Sequence, residues 1–235
     1  MSAAARWSEE SLTRAVQKMW TARAVSTRSG KHMQAIESLI INHVLDVTGD
    51  FPLTILQGDK ATIPGFYRPR KNWDIIGVHG ERLVFAVEVK SQDAKKLGNN
   101  ANNRNEEAVG SATDLRQVYA NEILGKGDSW FPWLGYIFIL EDDERRAATR
   151  DSAQKVDAAF PLDPIYGERP SYARRYHVLC ERLLETKLYD GVSFMICPPS
   201  TDGRITHPDE GTGIRFSDFM QSLDERLDEY RKLVS

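Results

Sequence analysis

The chain has 235 residues, a formal net charge of −3 and 41% hydrophobic content, enough to bury a full core at about the length of one larger domain. An acidic balance excludes a protein that coats phosphates indiscriminately, because non-specific nucleic-acid binding draws most of its affinity from a surplus of basic side chains; any basic surface here must be local. Two cysteines, Cys180 and Cys197, are too few for a disulfide framework and lack zinc-site spacing, so both are expected as small buried apolar residues.

In chain order, the start MSAAARWSEESL meets acids within its first ten positions rather than an apolar secretory stretch. No apolar run nears the ~20 residues of a membrane span. The expectation is a cytoplasmic protein with no membrane partner. From Ser8 to about Ser26, Leu12, Val16 and Trp20 share one stripe, which predicts an amphipathic helix. A second helix follows from Met33, Ile36, Ile40 and Val44 and closes near Gly49. FPLTILQ is a short strand, and GDKATIPGFYRPRK, with two Gly and two Pro, is expected as loop. WDIIGV and LVFAVEVK, joined by the polar link HGER, predict a hairpin.

Beyond it an Asn-rich loop leads into a helix beginning near Asn105, and WLGYIFIL is a strand buried on both faces. Residues 141–170 are charged and bear prolines, which suggests a mobile flap or a small inserted subdomain. SYARRYHVLCERLLETKLYD is a helix with Ser171 as N-cap, GVSFMIC a further buried strand, and FSDFMQSLDERLDEYRKLV a closing helix. Strands separated by helices predict an α/β fold with a mixed sheet of about five strands flanked by helices. The expected organisation is a single domain over 1–235: N-terminal helices at about 8–48, a core at about 51–200 holding the 141–170 segment, and a C-terminal helix at about 215–233.

The hairpin carries the chemistry. Side chains two apart on a strand share a face, so Glu88 and Lys90 project together while Phe85, Val87 and Val89 point into the core. A three-residue loop, Gly80 to Arg82, would set Asp74 directly opposite Glu88; a two-residue loop would put it on the other face. The three-residue loop is the expectation. Two facing carboxylates repel, and a divalent cation resolves the repulsion: Mg²⁺ takes hard oxygens and is commonly held by one or two carboxylates. Lys90 beside them would help to deprotonate or orient an attacking water and stabilise charge on phosphorus. Two other readings stay open on the residues alone. Glu88 and Lys90 also make an exposed edge-strand salt bridge with Asp74 capping a turn, or the carboxylates form a glycosidase-like acid/base pair, which leaves Lys90 without a task.

Several stretches bear on the choice: PGFYRP (Pro64 to Pro69), Trp73 with Asp74, EVKSQ (Glu88 to Gln92), GNNANNRNEEAVGSATDL (Gly98 to Leu115), WLGYIFILED (Trp133 to Asp142) and RYHVLCERL (Arg175 to Leu183). Together they resemble the XhoI-type restriction endonucleases, a branch of the PD-(D/E)xK nuclease superfamily, over about Ile63 to Pro198. The Asn-rich string is the most specific part. The resemblance implies a restriction-endonuclease-like core and a Mg²⁺-dependent homodimer. Such a dimer cuts both strands of double-stranded DNA at a palindrome, typically CTCGAG, and leaves 5′ phosphates, with a cognate DNA methyltransferase encoded separately. Carried over, Asp74, Glu88 and Lys90 are catalytic. Asp74, Glu88 and the Val89 backbone carbonyl are metal ligands, and Glu37 is a further helix-borne candidate. Trp73 stands where the superfamily carries Pro, and DAKKL (Asp93 to Leu97) departs from the family pattern, so sequence preference is free to differ there.

Asn99, Asn100, Asn102 and Asn103 carry the donors and acceptor that pair with adenine N6 and N7, and Arg104 forks onto guanine O6 and N7. Some of these asparagines would instead satisfy loop backbone or cap the following helix. Arg68, Arg70, Lys71, Lys95 and Lys96 are expected on phosphates, with Phe66, Tyr67 and Trp73 in the core rather than stacked on bases. His79, His177 and Cys197 are read as structural. A DNA-binding module that does not cut, or a repair or recombination nuclease on the same fold, are the alternatives.

Overall fold

The computed structural model describes residues 6–25, 31–93, 97–127, 130–142, 160–199 and 204–235. Two helices come first, α1 (Glu9–Val25) and α2 (Gln34–Thr48), the second ending at Gly49 with φ +55°. Then follow β1 (Thr54–Gln57), β2 (Thr62–Pro64), β3 (Arg70–Asn72), β4 (Ile75–His79), β5 (Arg82–Gln92) and the long α3 (Leu97–Ala120). The chain closes with β6 (Trp133–Glu141), α4 (Tyr172–Glu185), β7 (Gly191–Cys197) and α5 (Phe216–Val234). Ser171 caps α4 as expected, its Oγ accepting from the Arg174 N–H at 3.1 Å.

The main sheet has the order β1-β4-β5-β6-β7. Its first three strands pair antiparallel and its last three parallel, so the sheet is mixed and flanked by helices, as the alternation of elements predicted. Each face has its own core. Phe85, Val87 and Val89 of β5 and Ile137 and Ile139 of β6 pack with α1, α2 and α5, whereas Ala86, Leu134 and Phe138 pack with α3 and α4. The two-residue period therefore assigns Glu88 and Lys90 to the α3–α4 face. Trp133 packs over two glycines, since a Cβ at Gly135 would lie 2.5 Å and one at Gly191 2.3 Å from its ring. Among the described residues no helix is long and apolar enough to cross a membrane.

Three expectations need correction. The 58–71 stretch is not all loop: β2 and β3 form a small antiparallel sheet, with Ile63 opposite Lys71. Its strands have three residues each, too short to show an alternation in the sequence. The Asn-rich stretch is not a loop either. Helix α3 starts at Leu97, not near Asn105, because Leu97, Ala101, Ala108, Ala112 and Leu115 form one buried helical stripe. That burial outweighs the poor helix propensity of asparagine. Finally, Phe66 and Tyr67 are 42% and 67% exposed, and only Trp73 of the three aromatics lies in the core. Of residues 141–170, 143–159 lie outside the described residues; in the remainder Asp163 caps a short turn at Pro164–Tyr166 and pairs with Arg182.

Candidate active site

The hairpin sets the site. His79 pairs with Arg82, so the connection is the two residues Gly80 and Glu81, not three. Gly80 takes φ +60°, the left-handed conformation that such tight turns demand. By itself this loop would have turned Asp74 to the wrong face. A bulge restores the alignment: Val78 pairs with Leu83 but Gly77 with Phe85, leaving Val84 as an extra residue on β5. Val84 and Phe85 consequently both enter the core beneath α1 and α2. From there Ile76 faces Ala86 and Ile75 faces Val87, which brings Asp74 level with Glu88. The Asp74 N–H donates to the Val87 carbonyl at 3.2 Å, and the Val89 N–H donates to Asp74 Oδ2 at 2.7 Å. The carboxylate thus sits where the antiparallel ladder ends, held by a backbone donor of the neighbouring strand.

Around it the charges interlock. Glu88 is buried, its side chain 5% exposed, and Lys90 Nζ lies against its Oε1. Lys71 reaches over from β3, and its Nζ donates to Glu88 Oε2 at 2.7 Å and to the Asn72 carbonyl at 2.8 Å. Each oxygen of Glu88 therefore has its own ammonium. Lys90 also lies 3.7 Å from Asp74 Oδ2. Burial pushes the Glu88 carboxyl up, but Lys90 and Lys71 together outweigh it and hold the group below the usual carboxylate range. Asp74 goes the other way: burial, then repulsion from Glu88, raise it despite Lys90. For Lys90 burial favours loss of the proton, yet Glu88 and Asp74 prevail and keep it an ammonium. In this charge state Lys90 donates to Glu88 and offers its positive charge to Asp74.

Glu37, on α2, accepts from Gln57 Nε2 at 3.2 Å, and Gln57 pairs with Ile75, next to Asp74. Burial and the charge of Asp74 push its carboxyl up to about 7. Among the described residues no three His, Cys, Asp or Glu side chains already form a metal cage. The donor set nonetheless suits a hard divalent cation. Asp74 and Glu88 offer oxygens on one face, and burial raises the carboxyls of Asp74 and Glu37, each pushed further by a neighbouring carboxylate.

The remaining predicted residues spread outward from this cluster. Arg104, on α3, has a side chain 22% exposed; its guanidinium donates to Glu107 at 2.6 Å, and its positive charge repels that of Lys90. Asn102 and Asn103 are exposed, and Asn102 Oδ1 accepts from Arg175 of α4 at 3.0 Å. Asn99 and Asn100 lie in the first turn of α3, while Lys95 and Lys96 fall outside the described residues. Arg68 and Arg70 are exposed on the loop and strand leading to Lys71. His79 bonds Tyr230 Oη at 2.9 Å, His177 pairs with Glu181 at 3.0 Å, and both cysteines are buried and free. What the sequence reading missed is the place of Lys71 beside Glu88. A tertiary contact between strands 17 positions apart leaves no periodic trace.

The family model described as "Restriction endonuclease XhoI" matches residues 13–207, and the chain belongs to that family. It is 44% identical over 126 residues to the type II restriction enzyme XhoI of Xanthomonas vasicola, covering 53% of this chain and 48% of that enzyme. With the type II restriction enzyme BstVI of Geobacillus stearothermophilus it shares 29% identity over 201 residues, 83% of this chain and 86% of the other. With AbrI of Azospirillum brasilense the identity is 42% over 116 residues, 48% of this chain and 51% of that enzyme. The matches thus span about half the length of XhoI and AbrI and most of BstVI. No solved structure matches.

Proposed function

We propose that the chain is a Mg²⁺-dependent type II restriction endonuclease of the cytoplasm. In this reading it hydrolyses both strands of double-stranded DNA at a short palindrome, CTCGAG or a related sequence, as a homodimer, and leaves 5′-phosphate ends. A palindrome is most simply read by two subunits sharing its two-fold axis. A host carrying such an enzyme needs a cognate methyltransferase, encoded separately, to protect its own sites. The observation that carries the proposal is the convergence of Asp74, Glu88 and Lys90 on one face of the β4–β5 hairpin in a chain of this family.

Asp74, Glu88 and the backbone carbonyl of Val89 would hold the cation, with Glu37 as a candidate from α2. When bound, the ion supplies Lewis acidity toward the phosphoryl oxygens and lowers the pKa of its water. The chain's own residues do the rest. Lys90, held as an ammonium, orients the attacking water and stabilises negative charge building on phosphorus. Lys71 stabilises the same charge once Glu88 is engaged elsewhere. Arg68, Arg70, Lys95 and Lys96 position the phosphate backbone, and Asn99, Asn100, Asn102, Asn103 and Arg104 lie on the helix that would face bases.

Plasmid DNA incubated with and without Mg²⁺ tests the proposal. Discrete fragments in Mg²⁺ alone are expected, with 5′-phosphate ends that sequencing maps to one palindrome. Glu88→Ala and Lys90→Ala should abolish cleavage yet still shift a duplex in Ca²⁺. Normal cutting by either variant would overturn the assignment of roles. A mobility shift without cleavage by the unaltered chain would favour a binding module, and preferential nicking of branched DNA a repair nuclease.

A further inference from the structure

Phe66 and Tyr67 are consecutive aromatic residues on the surface, their rings packed edge to face with centroids 4.9 Å apart. Their backbone is tied to a buried side chain. Asp114 of α3, only 2% exposed, accepts from the Phe66 N–H at 3.1 Å and from the Tyr67 N–H at 2.8 Å. It also pairs with Arg68 Nε at 3.4 Å. Gly65 lets the chain approach: a Cβ there would lie 2.6 Å from the Arg68 carbonyl oxygen and 2.8 Å from Asp114 Oδ2. Pro64 and Pro69 bracket the segment and restrict its backbone further. A buried carboxylate spent on two loop N–H groups is a costly way to hold a surface tip, and it fixes two residues that remain 42% and 67% exposed.

The flanks identify the occupant. Arg68 and Arg70 are exposed beside the rings, and the next residue, Lys71, already touches the buried Glu88. An apolar tip followed directly by two exposed cations, one strand away from the carboxylate cluster, complements a surface of flat apolar faces edged by anions. A base step with its flanking phosphates is such a surface.

Resting on the nuclease reading above, we propose that the Pro64–Pro69 loop is a duplex-DNA contact in which Phe66 and Tyr67 press against a base step beside the scissile phosphate, with Arg68 and Arg70 on the flanking phosphates. Wedged apolar side chains partly unstack the step they enter, and base–aromatic contact is worth enough to change affinity about tenfold or more. Asp114 and Gly65 are positioning residues for this contact.

The test uses the full chain and duplexes carrying CTCGAG, each with 2-aminopurine at one purine position inside or next to the site, bound in Ca²⁺. The unaltered chain should raise the fluorescence at one step. Phe66→Ala/Tyr67→Ala should lose that rise and bind about tenfold or more weakly, with unchanged thermal melting because both rings are exposed. Binding within twofold of the unaltered chain, with the fluorescence rise retained, overturns the proposal. A double variant that turns a dimer into a monomer in sedimentation also overturns it, since the rings would then pack on a second copy of the chain. If the unaltered chain neither cuts plasmid nor binds any duplex, the nuclease reading is what fails; if it cuts and the double variant cuts equally well, only the wedge fails. Asp114→Asn, which keeps the side chain's shape, should reproduce part of the loss in binding.

Discussion

Lys71 Nζ donates to Glu88 Oε2 at 2.7 Å, from a strand of the small sheet to the central strand of the large one. With Lys90 on the other oxygen, the buried carboxylate is neutralised twice over. Removing one partner leaves a buried acceptor short of a donor, which typically costs about 1–3 kcal/mol. Lys71→Met should therefore lower the midpoint of thermal or urea unfolding. It should also cut the cleavage rate about tenfold or more, through a lost cation near the phosphate. Lys71→Arg keeps the charge and should recover part of both. A Lys71→Met variant that melts and cuts as the unaltered chain does would show the contact to be incidental.

Asp74 has two tasks that substitution separates. Its Oδ2 accepts from the Val89 N–H, and its charge repels that of Glu88. Asp74→Asn retains an acceptor oxygen and removes the charge. It should leave stability within about 1 kcal/mol, since surrender of the hydrogen bond is what costs more, while abolishing cleavage and weakening Mg²⁺ binding. Asp74→Ala should lose both, and calorimetric titration of Mg²⁺ alongside thermal melting distinguishes the two variants.

The carboxyl of Glu37 carries the clearest pH signature. Its folded pKa, raised from 4.5 to about 7, means that in the window between those values the folded chain keeps a proton that the unfolded chain releases. Stability contributed at this position is present at low pH and falls as pH rises through that window. Glu88, held below the usual range by its lysines, acts with the opposite sign and loses its contribution only in acid. Glu37→Gln removes the first effect alone. The melting temperature of that variant relative to the unaltered chain should rise between pH 5 and pH 8; a constant difference would mean that Glu37 is solvated. Added Mg²⁺ should stabilise the unaltered chain more than Glu37→Gln if this carboxylate faces the ion.

Much of this was legible in the chain because burial imposes period. The stripe Leu12, Val16 and Trp20, the run of β6 and the alternation of Phe85, Val87 and Val89 each record which way a side chain faces. The level alignment of Asp74 with Glu88 arises by another route than a three-residue turn: a two-residue turn and an extra Val84 supply the same offset. A bulge is invisible to alternation when both residues at the kink are apolar, as Val84 and Phe85 are. Gly77 was its faint trace, because a Cβ there would lie 2.2 Å from the Phe85 ring. The 58–71 stretch and the start of α3 stayed hidden for a different reason. In both, short strands or asparagines obey tertiary contacts, such as Asp114 on the loop and Ala101 in the core, against their local preference.

Helix α3 offers a way to separate reading of bases from scaffolding. Asn102 Oδ1 is engaged by Arg175, whose guanidinium also lies 5.4 Å over the Tyr172 ring, so this asparagine ties α3 to α4. Asn103 is its exposed neighbour. If α3 faces bases, Asn103→Ala should leave folding intact and cost about 1–3 kcal/mol of discrimination at one base pair, seen as cleavage of sites altered at that position. Asn102→Ala should act mainly on the helix pair, with a loss of about 0.5–1.5 kcal/mol in unfolding free energy and a uniform fall in cleavage across sites. Cleavage of a panel of single-substitution sites, measured for both variants beside their melting curves, decides the matter. Relaxed specificity in Asn102→Ala with unchanged stability would reverse the two roles and place the arginine contact among those broken when DNA binds.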